Sequence, residues 1–175
     1  SPYQRPSGDG ERDAKMDAMA SAPARGESLS EQLLGQWALA DVDEHLKPAG
    51  RLIISFLDDD GYLRTPLETV LDRAPESEKD SGDISAERLD HALKAAQLFL
   101  EPAGVAARNP GECMLLQLDA LEEEREELGW PAAAFSHART LVESHLEDLM
   151  QNRLPRVAEK TGLSLVEIKE ALMLP

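Results

Sequence analysis

What the sequence lacks narrows the possibilities first. It holds a single cysteine, Cys113, which excludes an intrachain disulfide framework and a cysteine-based zinc site. Aromatic residues make up 4% of a chain that is 42% apolar, so a core must be built from Leu, Ala, Val and Ile. That mix favours helices over a β-sandwich, because strands are enriched in β-branched and aromatic residues. No apolar run approaches the ~20 residues that span a bilayer, and the N-terminus has no apolar signal-peptide core. The chain is therefore expected to be soluble and cytoplasmic, with no membrane partner. Positive charge is also scarce: 18 Lys and Arg stand against 34 Asp and Glu, for a formal charge of −16.

The excess acid is unevenly placed. Residues 1–27 carry 4 basic and 5 acidic residues, residues 28–150 carry 10 and 26, and residues 151–175 carry 4 and 3. The middle of the chain holds the acid, and such a surface repels phosphate backbones. A protein partner with basic patches fits it better than nucleic acid. The plainer reading is that the charge keeps a helical domain soluble.

With 175 residues the chain is long enough to bury a core. Residues 1–27, rich in Ser, Pro, Gly, Ala and charge, lack an apolar period and read as a flexible linker and not as part of the fold. Ser28-Leu29-Ser30-Glu31 is a capping box, and the helix it opens carries Leu33, Leu34, Trp37 and Ala40 on one face. A second apolar segment with Leu52, Ile53, Phe56 and Leu57 runs up to Asp58-Asp59-Asp60-Gly61-Tyr62-Leu63, where Gly61 can end a helix. Thr65-Pro66-Leu67-Glu68 and Asn109-Pro110-Gly111-Glu112 each place a capping residue before a proline at the first helical position. Residues 74–84 read as a polar loop. Ser85 then caps a helix bearing Leu89, Ala92, Leu93, Ala96, Phe99 and Leu100, which Glu101-Pro102-Ala103-Gly104 ends.

The next helix is apolar over most of its circumference (Cys113, Met114, Leu115, Leu116, Leu118, Leu121), which suggests burial between neighbours and an inert, buried thiol. The run Glu122–Glu127, broken only by Arg125, marks a helix end or junction. Pro131 starts a long helix with Ala138, Leu141, Val142, His145, Leu146 and Leu149 at helical spacing. Two short helices, Leu154–Lys160 and Ser164–Met173, close the chain. The expected fold is all-α.

Catalytic signatures are missing. The four histidines (His45, His91, His137, His145) form no HExxH pair, and no GxSxG, Walker or GxGxxG pattern occurs. His145 reads as a core histidine. Nothing supports an enzyme or a cofactor.

Three patterns imitate sites. Asp58-Asp59-Asp60-Gly61 suggests a calcium loop, but with Gly61 at the sixth position the first is Phe56 and the twelfth Leu67, neither a carboxylate. The run Glu122–Glu127 is best explained as a solvated face. Ala158, Gly162 and Ile168 have the spacing of a helix-turn-helix, yet Ser164–Met173 offers Lys169 against Glu167 and Glu170, the wrong chemistry for a major groove.

From Ser28 to Pro175 the ordered motifs resemble the central region of the sigma-54 family, the nitrogen-type alternative sigma factors of bacterial RNA polymerase. The motifs are the opening Ser28–Leu34, the DDDGYL of Asp58–Leu63, EPAGVAARNPGECMLLQL of Glu101–Leu118, and the ending Leu154–Pro175. Singly they are weak; in this order and spacing they are specific. Glu101 stands where aspartate is usual, and Asn109-Pro110-Gly111 replaces a more common Asp-Leu-x run. The chain is expected to be a fragment, with a core-binding domain preceded by part of the acidic linker and without the activator-responsive and DNA-binding regions.

The resemblance implies a two-lobed helical bundle, residues 28–124 and 125–175, with the helix-turn-helix-like unit in the second lobe as scaffold or polymerase contact. It implies docking on bacterial core RNA polymerase, with the beta-subunit flap as a main contact, while an AAA+ ATPase activator acts on the parent holoenzyme. No direct DNA binding is expected of the fragment. Candidate contact or motif residues are Asp58, Asp59, Asp60, Gly61, Tyr62, Gly104, Val105 and Arg108. Tyr62 is expected to pack its ring between lobes, and Arg108 to pair with a nearby carboxylate. The competing readings are a free-standing DNA-binding regulator using residues 154–173 and a generic helical adaptor.

Overall fold

The computed structural model describes residues 27–174. The linker expected at residues 1–27 therefore lies, Glu27 apart, outside the described residues. Among the described residues the chain is all-α, with ten helices, one 3-10 turn and no strand. It divides into two compact units between Asn109 and Pro110.

The first unit holds α1 (Leu29–Leu39), the 3-10 turn Glu44–Leu46, α2 (Lys47–Ser55), α3 (Leu67–Asp72), α4 (Glu76–Ser81) and α5 (Ala86–Phe99). The capping box at α1 is complete: Ser28 Oγ accepts from the Glu31 amide at 3.1 Å, and Glu31 Oε1 accepts from the Ser28 amide at 3.0 Å. Ser85 likewise caps α5 by accepting from the Arg88 amide. The core gathers Leu33 and Trp37 of α1, Ala49, Ile53 and Ile54 of α2, Leu63, Val70, and the Leu89, Ala92, Leu93, Ala96 face of α5.

The second unit holds α6 (Pro110–Glu123), α7 (Arg125–Leu128), α8 (Ala132–Met150), α9 (Leu154–Thr161) and α10 (Leu165–Leu172). Its core is Leu118, Phe135, Ala138, Leu141, Val157, Ile168 and Ala171. Helix α8 is the spine, packed on by α6, α9 and α10. Gly162 ends α9 at φ +78, and Ser164 opens α10 with a second complete capping box.

Several local expectations change. Residues 74–84 are not all loop. Pro75 sets the entry of α4, an i,i+3 pair between Glu76 and Lys79 (3.0 Å) supports it, and Gly82 at φ +83 stops it. Thr65 does not cap α3; Pro66 takes the N-cap position and no side chain caps it. Helix α2 stops at Ser55, so Gly61 sits in the following turn and does not end the helix.

Helix α6 is not buried between neighbours. Leu118 alone of its apolar residues is fully buried; Cys113 is half-buried and Met114 exposed. One face lies on α8 while Asp119 and Glu122 on another hold Arg139 of α8. That packing assigns α6 to the second unit, so the division falls ahead of the acidic run and not within it. His145 is half-buried at a kink in α8, where its backbone leaves the helical region (φ −134, ψ 21).

Candidate functional site

Two motifs far apart in sequence meet in the first unit. After α2, Asp58, Asp59, Asp60 and Gly61 fold into a turn closed by two backbone bonds. The Gly61 amide donates to the Asp58 carbonyl and the Asp58 amide to the Tyr62 carbonyl, both at 2.9 Å. Gly61 takes φ +87, a conformation that costs an L-residue about 1–2 kcal/mol and glycine nothing. The turn is then stitched to the segment after α5. The Ala106 amide donates to the Gly61 carbonyl (2.8 Å), and the Leu63 amide donates to the Ala107 carbonyl (2.9 Å).

That second segment is itself tightly wound. Gly104 has φ +103 and Ala106 φ +71, and residues 104–107 are buried, Val105 with them. Gln97 of α5 donates through Nε2 to the Ala106 carbonyl at 3.1 Å. Upstream, Gln36 of α1 grips the chain as it leaves α5: its Oε1 accepts from the Glu101 amide (2.8 Å) and its Nε2 donates to the Glu101 carbonyl (3.2 Å). The stitching bonds and the Gln97 bond give partners to the Ala106 amide and to the Ala106 and Ala107 carbonyls, which an irregular buried segment cannot pair within a helix.

The outer side of the turn is charged. Arg64 Nη1 donates to Asp58 Oδ2 at 2.7 Å and to Asp60 Oδ1 at 3.0 Å, while Nη2 lies 2.9 Å from Asp60 Oδ2. Its guanidinium also stacks on the Tyr62 ring, 4.7 Å from the centroid. The Arg64 bond holds the Asp60 carboxyl below its ordinary value, and both carboxylates raise the Arg64 pKa above its own. Asp59 makes no ion pair among the described residues, so the corner presents three carboxylates and one guanidinium.

Of the sequence candidates, Asp58, Asp59, Asp60, Gly61 and Tyr62 share this corner with Gly104 and Val105 of the joined segment. Gly61, Gly104 and Val105 are buried and shape the backbone, whereas the three aspartates are exposed and Tyr62 is half-buried. Arg108 lies at the surface just past the joint. Sequence reasoning missed Arg64, whose only signal was its spacing: four residues after Asp60 and two after Tyr62. It also missed Gln36, which nothing local marks.

In the second unit, buried Asp148 anchors the start of α9. Its carboxylate accepts from Arg153 Nη1 (3.1 Å) and Lys160 Nζ (3.2 Å), and its carbonyl accepts from the Arg153 amide (2.8 Å). Lys160, then Arg153, draw its pKa below the ordinary 3.8 against the cost of burial. The outward side of α10 exposes Leu165 and Val166.

None of these groups forms a nucleophile–base pair, and among the described residues no cluster of His, Cys, Asp and Glu is placed to hold a metal ion. No described helix is long and apolar enough to cross a membrane. The arrangement offers rigid surfaces for recognition: an acidic corner, and apolar residues left outside.

The family model described as "Sigma-54 factor, core binding domain" matches residues 18–174. The chain belongs to that family. It is 31% identical over 156 residues to the RNA polymerase sigma-54 factor of Xanthomonas euvesicatoria, covering 89% of this chain and 30% of that protein. The RNA polymerase sigma-54 factor of Escherichia coli (strain K12) is 28% identical over 148 residues, 85% of this chain and 28% of its own length. That of Pseudomonas aeruginosa (strain UCBPP-PA14) is 40% identical over 96 residues, 55% of this chain and 18% of its own. The chain thus spans under a third of the length of the curated relatives it matches. The match runs through both units and includes the two joined motifs.

Proposed function

We propose that this chain is the part of a sigma-54-type transcription initiation factor that docks the factor on bacterial core RNA polymerase through protein–protein contacts. The observation that carries the reading is the family match, which takes in both compact units from residue 18 to 174. The two units serve as the two lobes of the docking domain. The beta-subunit flap is the main contact, and in the parent holoenzyme an AAA+ ATPase activator acts elsewhere on the factor, in the cytoplasm. Asp58, Asp59 and Asp60 are the charged contact candidates. Gly61, Gly104 and Val105 hold the corner in shape behind them, with Tyr62 and Arg108 beside it.

The charge supports this division of labour. Residues 28–109 carry 16 acidic residues against 8 basic, and a field of that sign accelerates docking on basic protein surfaces while discouraging DNA. The pair α9–α10 then serves as scaffold or polymerase contact, since α10 exposes Leu165 and Val166 and carries one lysine between two glutamates.

Fluorescence anisotropy of the labelled chain titrated with purified core polymerase, at two salt concentrations and with duplex DNA in parallel, tests the reading. Saturable binding to core with little DNA affinity is expected. Tight, salt-sensitive DNA binding without core binding would overturn it and favour a DNA reader built on residues 154–173.

A further inference from the structure

The outward side of α1 carries little charge. Charged residues make up 30% of the chain, yet the only one on α1 is Glu31, which is engaged in the capping box. Gly35, Ala38 and Leu39 are exposed on that helix, and Leu39 is 89% exposed. At the end of α5, Leu98 (70%) and Phe99 (43%) are exposed too. Gln36, Leu39, Ala40, Phe99 and Glu101 line one shallow cleft of about 320 Å³, and the Gln36–Glu101 bonds tie its two sides together.

Gly35 is the telling residue. It lies in the interior of a helix, where glycine is less favourable than alanine, and a Cβ there would meet no atom within 4 Å. Among the described residues nothing requires it. A flat, uncharged helix face beside exposed leucines is what a second helix needs to approach closely. The borders of the face are acidic. Asp41 follows Leu39 by two residues, Glu101 closes the cleft, and the nearest cation on α5, Lys94, is 3.2 Å from Asp90. An uncharged centre inside a charged rim is the anatomy of a protein interface.

We propose that Gly35, Ala38, Leu39, Leu98 and Phe99 form a docking face for one amphipathic helix of the partner, with apolar side chains in the cleft and Lys or Arg beside Asp41 and Glu101. This rests on the reading that the partner is core polymerase, and it assigns the face that engages it.

The test uses the whole chain and purified core polymerase. Leu39→Asp and Leu98→Asp alter exposed side chains and should leave the thermal midpoint nearly unchanged while weakening binding by about tenfold or more. Gly35→Ala should raise the midpoint, because alanine is the better helix former, and still weaken binding. A stabilised variant that binds worse cannot be explained by misfolding. Asp41→Lys with Glu101→Lys should slow association and flatten its salt dependence. A photo-crosslinker at position 39 should capture a core-polymerase segment that is helical and carries Lys or Arg.

Wild-type binding that all these variants keep would overturn the face alone. Absence of wild-type binding would remove the docking reading and the face with it. A crosslink to a second copy of this chain, or to an acidic or non-helical segment, would also overturn the proposal.

Discussion

Lys47 and Trp37 each bond the other's backbone: the Lys47 ammonium donates to the Trp37 carbonyl at 2.7 Å, and the Trp37 indole N–H donates to the Lys47 carbonyl at 3.1 Å. The same ammonium reaches the Ala38 and Ala40 carbonyls at 3.2 and 3.0 Å and lies over the indole, 5.5 Å from a ring centroid. It thus adds a charged donor to the carbonyls at the C-terminal end of α1, where the helix dipole favours a cation, while being 7% exposed itself. Tryptophan, lysine and two helices form one lock at the centre of the first unit.

The lock makes Lys47→Met a severe change. Methionine keeps the stem's volume but removes all three ammonium bonds. The Trp37 and Ala40 carbonyls keep the Ala40 and Val42 amides as donors, while the partly buried Ala38 carbonyl loses its side-chain donor. A charge-assisted bond contributes about 1.5–3 kcal/mol. A loss of about 2–3 kcal/mol is expected, read as a lower urea midpoint with an unchanged slope. A loss below about 0.5 kcal/mol would show that water replaces the ammonium at no cost.

Gly50→Ala tests the same lock from the other side. A Cβ there would stand 2.1 Å from Trp37 Cζ2 and 2.2 Å from Cε2. The indole is fully buried and pinned by its hydrogen bond, so it has nowhere to move. Overpacking of that kind costs about 1–3 kcal/mol or more. Gly35→Ala, on the exposed side of α1, is the control and should stabilise.

Much of the fold is legible in the sequence because its signals are local. The capping box at Ser28, the cap at Ser85 and the Leu89–Ala96 face all form as their spacing predicts. The misreadings arise where a distant neighbour decides. The apolar residues of α6 predict burial all round, but among the described residues α8 is the main helix packed on them and most stay partly exposed. Residues 74–84 look polar and loop-like, yet Pro75 and Gly82 delimit a helical turn that polarity alone hides. At the candidate site the residue types are visible and their partnership is not. Nothing near Gly61 tells of Ala106, because their contact is a backbone bond across 45 positions.

Asp148 gives the second unit an acid limit. Its folded pKa is lowered below 3.8 by Lys160 and Arg153, so the protein binds that proton more weakly folded than unfolded. Its contribution is complete above the unfolded value and is lost as pH falls through the folded one. Asp148→Asn should therefore lower stability at pH 7, and flatten the loss that wild type shows as pH falls below about 4. Thermal melts of both proteins from pH 7 to pH 3 check this. Parallel curves at all pH values would remove Asp148 from the acid transition.

The corner at Asp58–Asp60 separates charge from stability most cleanly. Arg64 bridges two exposed carboxylates with its own guanidinium half in solvent, and exposed pairs contribute little to stability. The backbone stitch from Gly61 to Ala106 holds the turn without it. Arg64→Ala should thus leave the thermal midpoint nearly unchanged while leaving the three aspartates unneutralised. If the corner meets a basic polymerase surface, this variant docks faster than wild type at low salt, and its rate falls more steeply as salt rises. Asp59→Lys, which touches no ion pair, should change the rate in the opposite direction. Equal rates for all three proteins at every salt concentration would remove the corner from the contact surface, because no loss of folding is available to explain them.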